Sequence, residues 1–230
     1  MPTDVVDDIA AESSAAADSA RPRRSPLAAV LIAIIVVAAV AGAGTGGWLF
    51  ANRNGSTLSA SSVDAGFARD MSTHHTQAVV MAGYTRLHTA DASVLLLAND
   101  IYDDQTFQIG VMQGWLDSWG LTRSTTLPTM GWMSGHTLGP DGLMPGMATP
   151  AEVSKLQSLT GTALDIDFIQ LMIRHHQGGL AMERYAVAHA SKQYVRDLAN
   201  SMLQAQSSEI VSMEQLLRQL GGTPLPAPTS

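Results

Sequence analysis

A duplication constrains this chain more than any other feature. A shift of 101 residues lays positions 64–120 on 165–221 without a gap, and 17 of the 57 pairs are identical. Rare residues dominate the matches: Phe67/Phe168, Met71/Met172, His74/His175, His75/His176, Met81/Met182, Tyr84/Tyr185, His88/His189, Gln105/Gln206 and Met112/Met213. A repeat of this size is one supersecondary unit that cannot cover its own apolar face. The two copies must therefore be packed against each other.

The periodicity inside each copy is helical. Phe67, Met71, His74, Ala78, Met81 and His88 fall on one stripe, and Phe168, Met172, His175, Gly179, Met182, Ala186 and His189 repeat it. A break at 89–91 leads to a second helix with Leu97, Ile101, Gln105, Ile109, Met112 and Leu116 on its inner stripe. Gly120 and Gly221 stand where a left-handed glycine ends a helix. Asp64 and Asp165 are expected to cap their own helices. Two such hairpins make an all-α four-helix bundle over residues 63–221.

The connector, residues 121–149, is too long for a simple turn and carries Met130, Met133, His136, Met144 and Met147. Thr149, Pro150 and Glu152 then read as a capping box with proline at the first helical position, opening a short helix through Leu159. Residues 222–230 are expected to be a disordered tail.

Residues 27–50 run 24 positions without a charge, enough for one transmembrane helix. Arg21, Arg23 and Arg24 precede the run and only Arg53 follows closely. The positive-inside rule then makes residues 1–26 a disordered cytoplasmic tail, 51–62 a linker, and the bundle extracytoplasmic. A cleaved signal peptide is the competing reading, with small residues at Ala41 and Ala43. The long apolar run and the acidic leader favour a retained anchor. With a net charge of −7 and no basic face, nucleic acid is not expected as a partner. The chain has no cysteine, which excludes disulfides, thiolate metal sites, cysteine nucleophiles and covalent c-type haem.

The chemistry is concentrated in the doubled Met-x-x-His-His. Methionine at helical spacing ordinarily fills core, and a lone inward histidine is ordinarily hydrogen-bonded. Two adjacent histidines point about 100° apart, so filling core does not account for both. Met71, His74, His75, Met172, His175 and His176 offer imidazole and thioether donors, a set that suits copper above other transition metals. Buried imidazoles need partners, and Gln105 and Gln206 are expected to hydrogen-bond them as outer-layer residues. The connector's Met130, Met133, His136, Met144 and Met147 form either a second metal-capture segment or a cap over the bundle. His88 and His189 lie about 21 Å further along their helices and are read as polar helix ends. Neither His-bearing helix offers the Glu-x-x-His motif of di-iron bundles. Three functions follow in order. The first is membrane-bound copper sequestration or handling. The second is a redox enzyme or a bundle holding non-covalent haem, and the third a metal-free bundle that binds a protein partner.

Phe168, Met172, His175, His176 and Met182, with Gln206, Glu209, Ile210 and Met213 beyond and Gly146-Met147-Ala148 upstream, resemble the domain of unknown function 305 family. The resemblance covers roughly residues 63–221. It implies a ferritin-like four-helix bundle, commonly secreted or membrane-anchored in bacteria, with copper binding and copper tolerance associated with some members. Two departures stand out. The first copy keeps Ala78, Met81 and Ala82, whereas the second has Gly179, Met182 and Glu183. Gln108 also replaces the glutamate found at Glu209.

Overall fold

Local chemistry sets the helix ends. In the computed structural model, which describes residues 58–139 and 141–228, Ser62 accepts from Ala65 N and opens α1, Val63–His88. Asp91 accepts from Ser93 N and Val94 N to open α2, Ala92–Ser118. Thr149 and Glu152 form the expected capping box of α3, Pro150–Leu156, which stops three residues short of Leu159. Helices α4, Gly161–His189, and α5, Gln193–Gln219, complete the order. Gly120 and Gly221 take positive φ just past α2 and α5, satisfying the last carbonyls as glycine can without steric cost. The described residues contain no strand.

Each repeat forms one hairpin, α1 with α2 and α4 with α5, and the hairpins meet through α1 and α4. These two helices run antiparallel, because the start of each touches the end of the other. Asp64, near the start of α1, accepts from Ser191 N (2.9 Å), Ser191 Oγ (3.0 Å) and Lys192 N (2.7 Å) in the α4–α5 turn. Asp165, near the start of α4, accepts from Thr89 Oγ1 at 2.6 Å in the α1–α2 turn. The expectation that both aspartates cap their own helices is thus corrected. Each latches the opposite hairpin, and Asp64 places its charge at the N-terminus of α5, where the helix dipole favours it.

Two apolar clusters fill the core. One gathers Ala78, Met81, Leu97, Ile101, Phe168, Met172 and Met213; the other gathers Phe67, Met71, Met112, Trp115, Met182 and Met202. The histidines separate them along the bundle axis. The connector lies over the second cluster. Met130 and Met144 are buried in it, and Met133 and Met147 pack against it. Trp132 sits on Gly66, where a β-carbon would fall 2.2 Å from Trp132 Cγ. Asp70 holds the same loop by accepting from Met130 N (2.6 Å) and Trp132 Nε1 (2.8 Å).

The tail after Gly222, expected to be disordered, is placed against α4 as far as residue 228. Thr223 O accepts from Gln170, and Leu225 packs on the core. Residues 1–26, the apolar run 27–50 and the linker up to residue 57 lie outside the described residues. Among those described, no helix is long and apolar enough to cross a membrane.

Asp64→Ala strips three hydrogen bonds from a buried charge and should lower unfolding free energy by roughly 3 kcal/mol. Thr89→Val, which removes the bond to Asp165 and the one accepted from Asp91 N, should cost about 2 kcal/mol. Urea denaturation of both variants checks the difference.

Candidate functional site

The helices α1 and α4 cross at their histidines. The rings of His74 and His175 lie face to face, 3.8 Å between centroids and 34° between planes. His175 Nε2 donates to the backbone carbonyl of His74 at 2.9 Å, and His74 Nε2 donates to the carbonyl of Pro145 at 3.1 Å. The neighbouring rings turn into their own hairpins. His75 Nε2 meets Gln108 Oε1 at 2.7 Å, and His176 Nε2 meets Glu209 Oε2 at 2.7 Å. Each Nε2 faces an oxygen acceptor, which assigns the ring proton to Nε2 and leaves a lone pair on Nδ1. All four Nδ1 atoms are buried, with no hydrogen-bond partner among the described residues.

Burial governs the protonation of these rings. It pulls His74 down to about 4, against the raising effect of the Pro145 carbonyl, and His75 down to about 3, helped by His74. His175 is also held well below the usual histidine range, by burial first and then by the other three histidines. These three rings are therefore neutral at pH 7. Neutral imidazole is the form that can ligate a metal.

Two glycines let the connector reach the centre. A β-carbon on Gly178 would lie 2.0 Å from Pro145 O, and one on Gly146, at φ 81°, would lie 2.5 Å from Arg174 O. The Pro145–Gly146 backbone can approach α4 this closely only because both lack side chains. Gln77 secures the same strand of chain from α1, donating to Ala148 O (2.8 Å) and accepting from Ala148 N (2.6 Å). Arg174 ties α3 to the site, donating to both carboxylate oxygens of Glu152, at 2.9 and 2.7 Å. That guanidinium holds the Glu152 carboxyl at about 2.

The remaining residues singled out in the sequence fall into three groups. Gln105 and Gln206 are buried near the histidines, but neither bonds an imidazole, and each Oε1 is unpartnered among the described residues. The imidazole partners are Gln108 and Glu209, three residues further on, together with two backbone carbonyls. Met71 and Met172 are fully buried on opposite sides of the histidine layer. In the connector, His136 Nδ1 is bonded to the carbonyl of Met133, and the four methionines pack as a cap. His88 and His189 are exposed and rest on Tyr84 and Tyr185, apart from the centre. Pro145 and Glu183 belong to the centre without having been singled out as site residues. The adjacent Gly178 and Gly179 were a signal for Pro145, since each mid-helix glycine costs about 1 kcal/mol and asks for a reason.

Among the described residues, no three His, Asp or Glu side chains are grouped as a ready ligand set for a metal ion. A surface cleft lined by Gly66, Arg69, Asp70, Pro128 and Trp132 includes none of the four histidines.

Fold and site together define a duplicated helical bundle with a buried histidine layer at its pseudo-twofold centre. The chain belongs to the family described as Domain of unknown function (DUF305), whose model matches residues 64–217. A crystal structure of a DUF305 protein from Streptomyces coelicolor is 43% identical, with a TM-score of 0.69, covering 73% of this chain and 99% of that one. A DUF305 fragment from Deinococcus radiodurans is 31% identical, with a TM-score of 0.58, covering 68% and 96%. CopM, solved in Cu(II)-bound and Cu(I)-bound forms, shares the fold at 24% and 23% identity, with TM-scores of 0.54 and 0.53 and coverage of 69% of this chain and 97% and 98% of those. No curated protein sequence matches the chain.

The depressed His75 gives a pH test of the metal-free bundle. Its folded value of about 3 lies below the unfolded 6.5, so the unfolded chain takes up the proton first as pH falls. Stability linked to His75 is full above pH 6.5 and is lost towards pH 4, by about 3 kcal/mol at roughly 1.4 kcal/mol per pH unit. Half-buried carboxyls such as Asp100 and Asp104, raised to about 6, act in the opposite sense, so the comparison must be with His75→Gln. The stability difference between wild type and His75→Gln should shift against wild type by that amount from pH 6.5 to 4, measured by urea denaturation at each pH.

Proposed function

We propose that this protein is an extracytoplasmic copper-handling bundle, tethered to the membrane by residues 27–50. His74, His75, His175 and His176 supply nitrogen, and Met71 and Met172 supply sulfur. The observation that carries this reading is the set of four buried imidazoles with four free Nδ1 lone pairs. A helical core gains nothing in packing from such rings and loses their hydration. A ligand role gives them a reason.

The donor set fits the cargo. The rings of His74, His75 and His175, neutral at pH 7, need shed no proton to bind, and Cu(I) accepts both imidazole and thioether. The Nε2 protons are already engaged by oxygen, which orients each ring as outer-layer partners do in metal sites. Glu209 stands to His176 as Gln108 stands to His75, with a carboxylate oxygen in place of an amide oxygen. CopM was solved with copper in both oxidation states. At its level of identity that likeness speaks for the fold, and the choice of copper here rests on the imidazole and thioether donors.

Cu(I) titration of the metal-free chain against a competing chelator should show tight binding. The combined His74→Ala, His75→Ala, His175→Ala and His176→Ala variant should lose it, and the single His175→Gln exchange, with helicity checked by circular dichroism, should weaken it by about tenfold or more. Equal binding by all three proteins would move the cargo to the Met130–Met147 loop. No binding by the wild type would end the copper reading. In cell fractionation the chain should follow the membrane, and deletion of residues 27–50 should release it.

A further inference from the structure

The two halves of the bundle differ at its centre. Ala78 and Ala82 of the first repeat correspond to Gly179 and Glu183 of the second. Glu183 is fully buried, and neither carboxylate oxygen has a hydrogen-bond partner among the described residues. Gln206 Oε1, reaching in from α5, is unpartnered in the same way. A β-carbon on Gly179 would stand 3.1 Å from Gln206 Oε1, 3.5 Å from His74 Cε1 and 3.6 Å from Glu183 Oε1. The missing methyl therefore leaves a space faced by a carboxylate, an amide oxygen and the edge of an imidazole. The His74 Nε2 proton is committed to Pro145, so what this ring has left to offer is the Nδ1 lone pair.

Acceptors gathered in a buried space cost stability unless a proton or a cation lies between them. The glutamate at 209 adds a second carboxylate nearby. Burial, and after it Glu209, pushes the Glu183 carboxyl well above its usual range. A bound cation would reverse that penalty. We propose that Glu183, Gln206 and His74 form a divalent-cation site in the space left by Gly179, with no counterpart at Ala78 and Ala82 of the first repeat. Two oxygens with one imidazole suit Cu(II) or Zn(II), whereas the soft Cu(I) prefers thioether and imidazole. Metal–ligand distances of about 2.0–2.2 Å are shorter than the present spacing, so the side-chain ends must close by about an ångström. The broad terminal torsions of Glu and Gln permit this. The site rests on the copper reading, because it shares His74, whose one free lone pair serves Cu(I) or a divalent ion in turn.

The test uses the full chain stripped of metal, with Zn(II), Cu(II) and Cu(I) as separate probes. Glu183→Gln keeps the side-chain volume and removes the charge. Gly179→Ala fills the space with one methyl whose tightest contact is a flexible amide, and alanine is the better helix former. Both variants should bind Zn(II) and Cu(II) about tenfold or more weakly than wild type. The electron paramagnetic resonance spectrum of Cu(II) should change in Glu183→Gln, and its Zn(II) and Cu(II) affinities should fall more than its Cu(I) affinity. Divalent binding equal in wild type and Glu183→Gln, or absent from wild type, overturns this site and leaves the Cu(I) reading standing. Loss of Cu(I) binding in wild type with Zn(II) binding retained would do the reverse. If Gly179→Ala does not fold, Glu183→Gln decides alone.

Discussion

The arrangement depends on keeping four imidazoles out of water where α1 and α4 cross. The N–H of a buried ring must find an oxygen. Here the oxygens come from four separate parts of the chain: the connector at Pro145, the α1 backbone at His74, α2 at Gln108 and α5 at Glu209. Satisfying the rings therefore ties both hairpins and the connector to one point. The apolar clusters on either side supply most of the burial, but apolar contacts are non-directional and the methionines among them adapt their shape. The polar layer sets the register, since sliding either helix by a residue would leave buried N–H groups unpaired.

Duplication makes the frame, and its imperfections make the site. Asp64 and Asp165 latch opposite ends of the antiparallel pair, and His74 and His175 stack across its middle, as a twofold arrangement requires. The connector can visit only one side of such a frame. It crosses α4 at Gly178, whose counterpart in α1 is Gln77, and that glutamine holds the connector at Ala148. On the same side Gln108 has become Glu209, Ala78 has become Gly179 and Ala82 has become Glu183. Every one of these changes makes the second half more open or more acidic around its histidines. A symmetric pair of rings thus sits in an asymmetric field, which gives any bound ion a preferred side.

The long helices, their break points, the terminal glycines and the capping box before α3 were legible from the sequence. All of these rest on spacing along a helix or on the repeat itself, and such patterns survive without knowledge of what lies opposite. The imidazole partners were not legible in the same way. Gln105 and Gln108 lie within one helical turn of each other, as do Gln206 and Glu209, so either member of each pair could face a given ring. Stripe periodicity assigns Gln105 and Gln206 to the interior without saying which ring atoms they meet. The connector's methionines were readable as apolar or as ligands, because a thioether serves both ends; packing against Phe67, Trp115 and Met182 places them as a cap.

By itself, then, the sequence determined an all-helical, duplicated bundle with its histidines turned inward, since helical period and repeat identity are local properties of the chain. Only the tertiary structure decided that Pro145 and Glu209 complete the rings, that Asp64 caps a helix more than a hundred residues away, and that Glu183 is left buried among acceptors. Those outcomes depend on the crossing of α1 and α4 and on how closely a connector can approach a glycine. Distances between elements far apart in the chain fix them, and no local pattern encodes such distances.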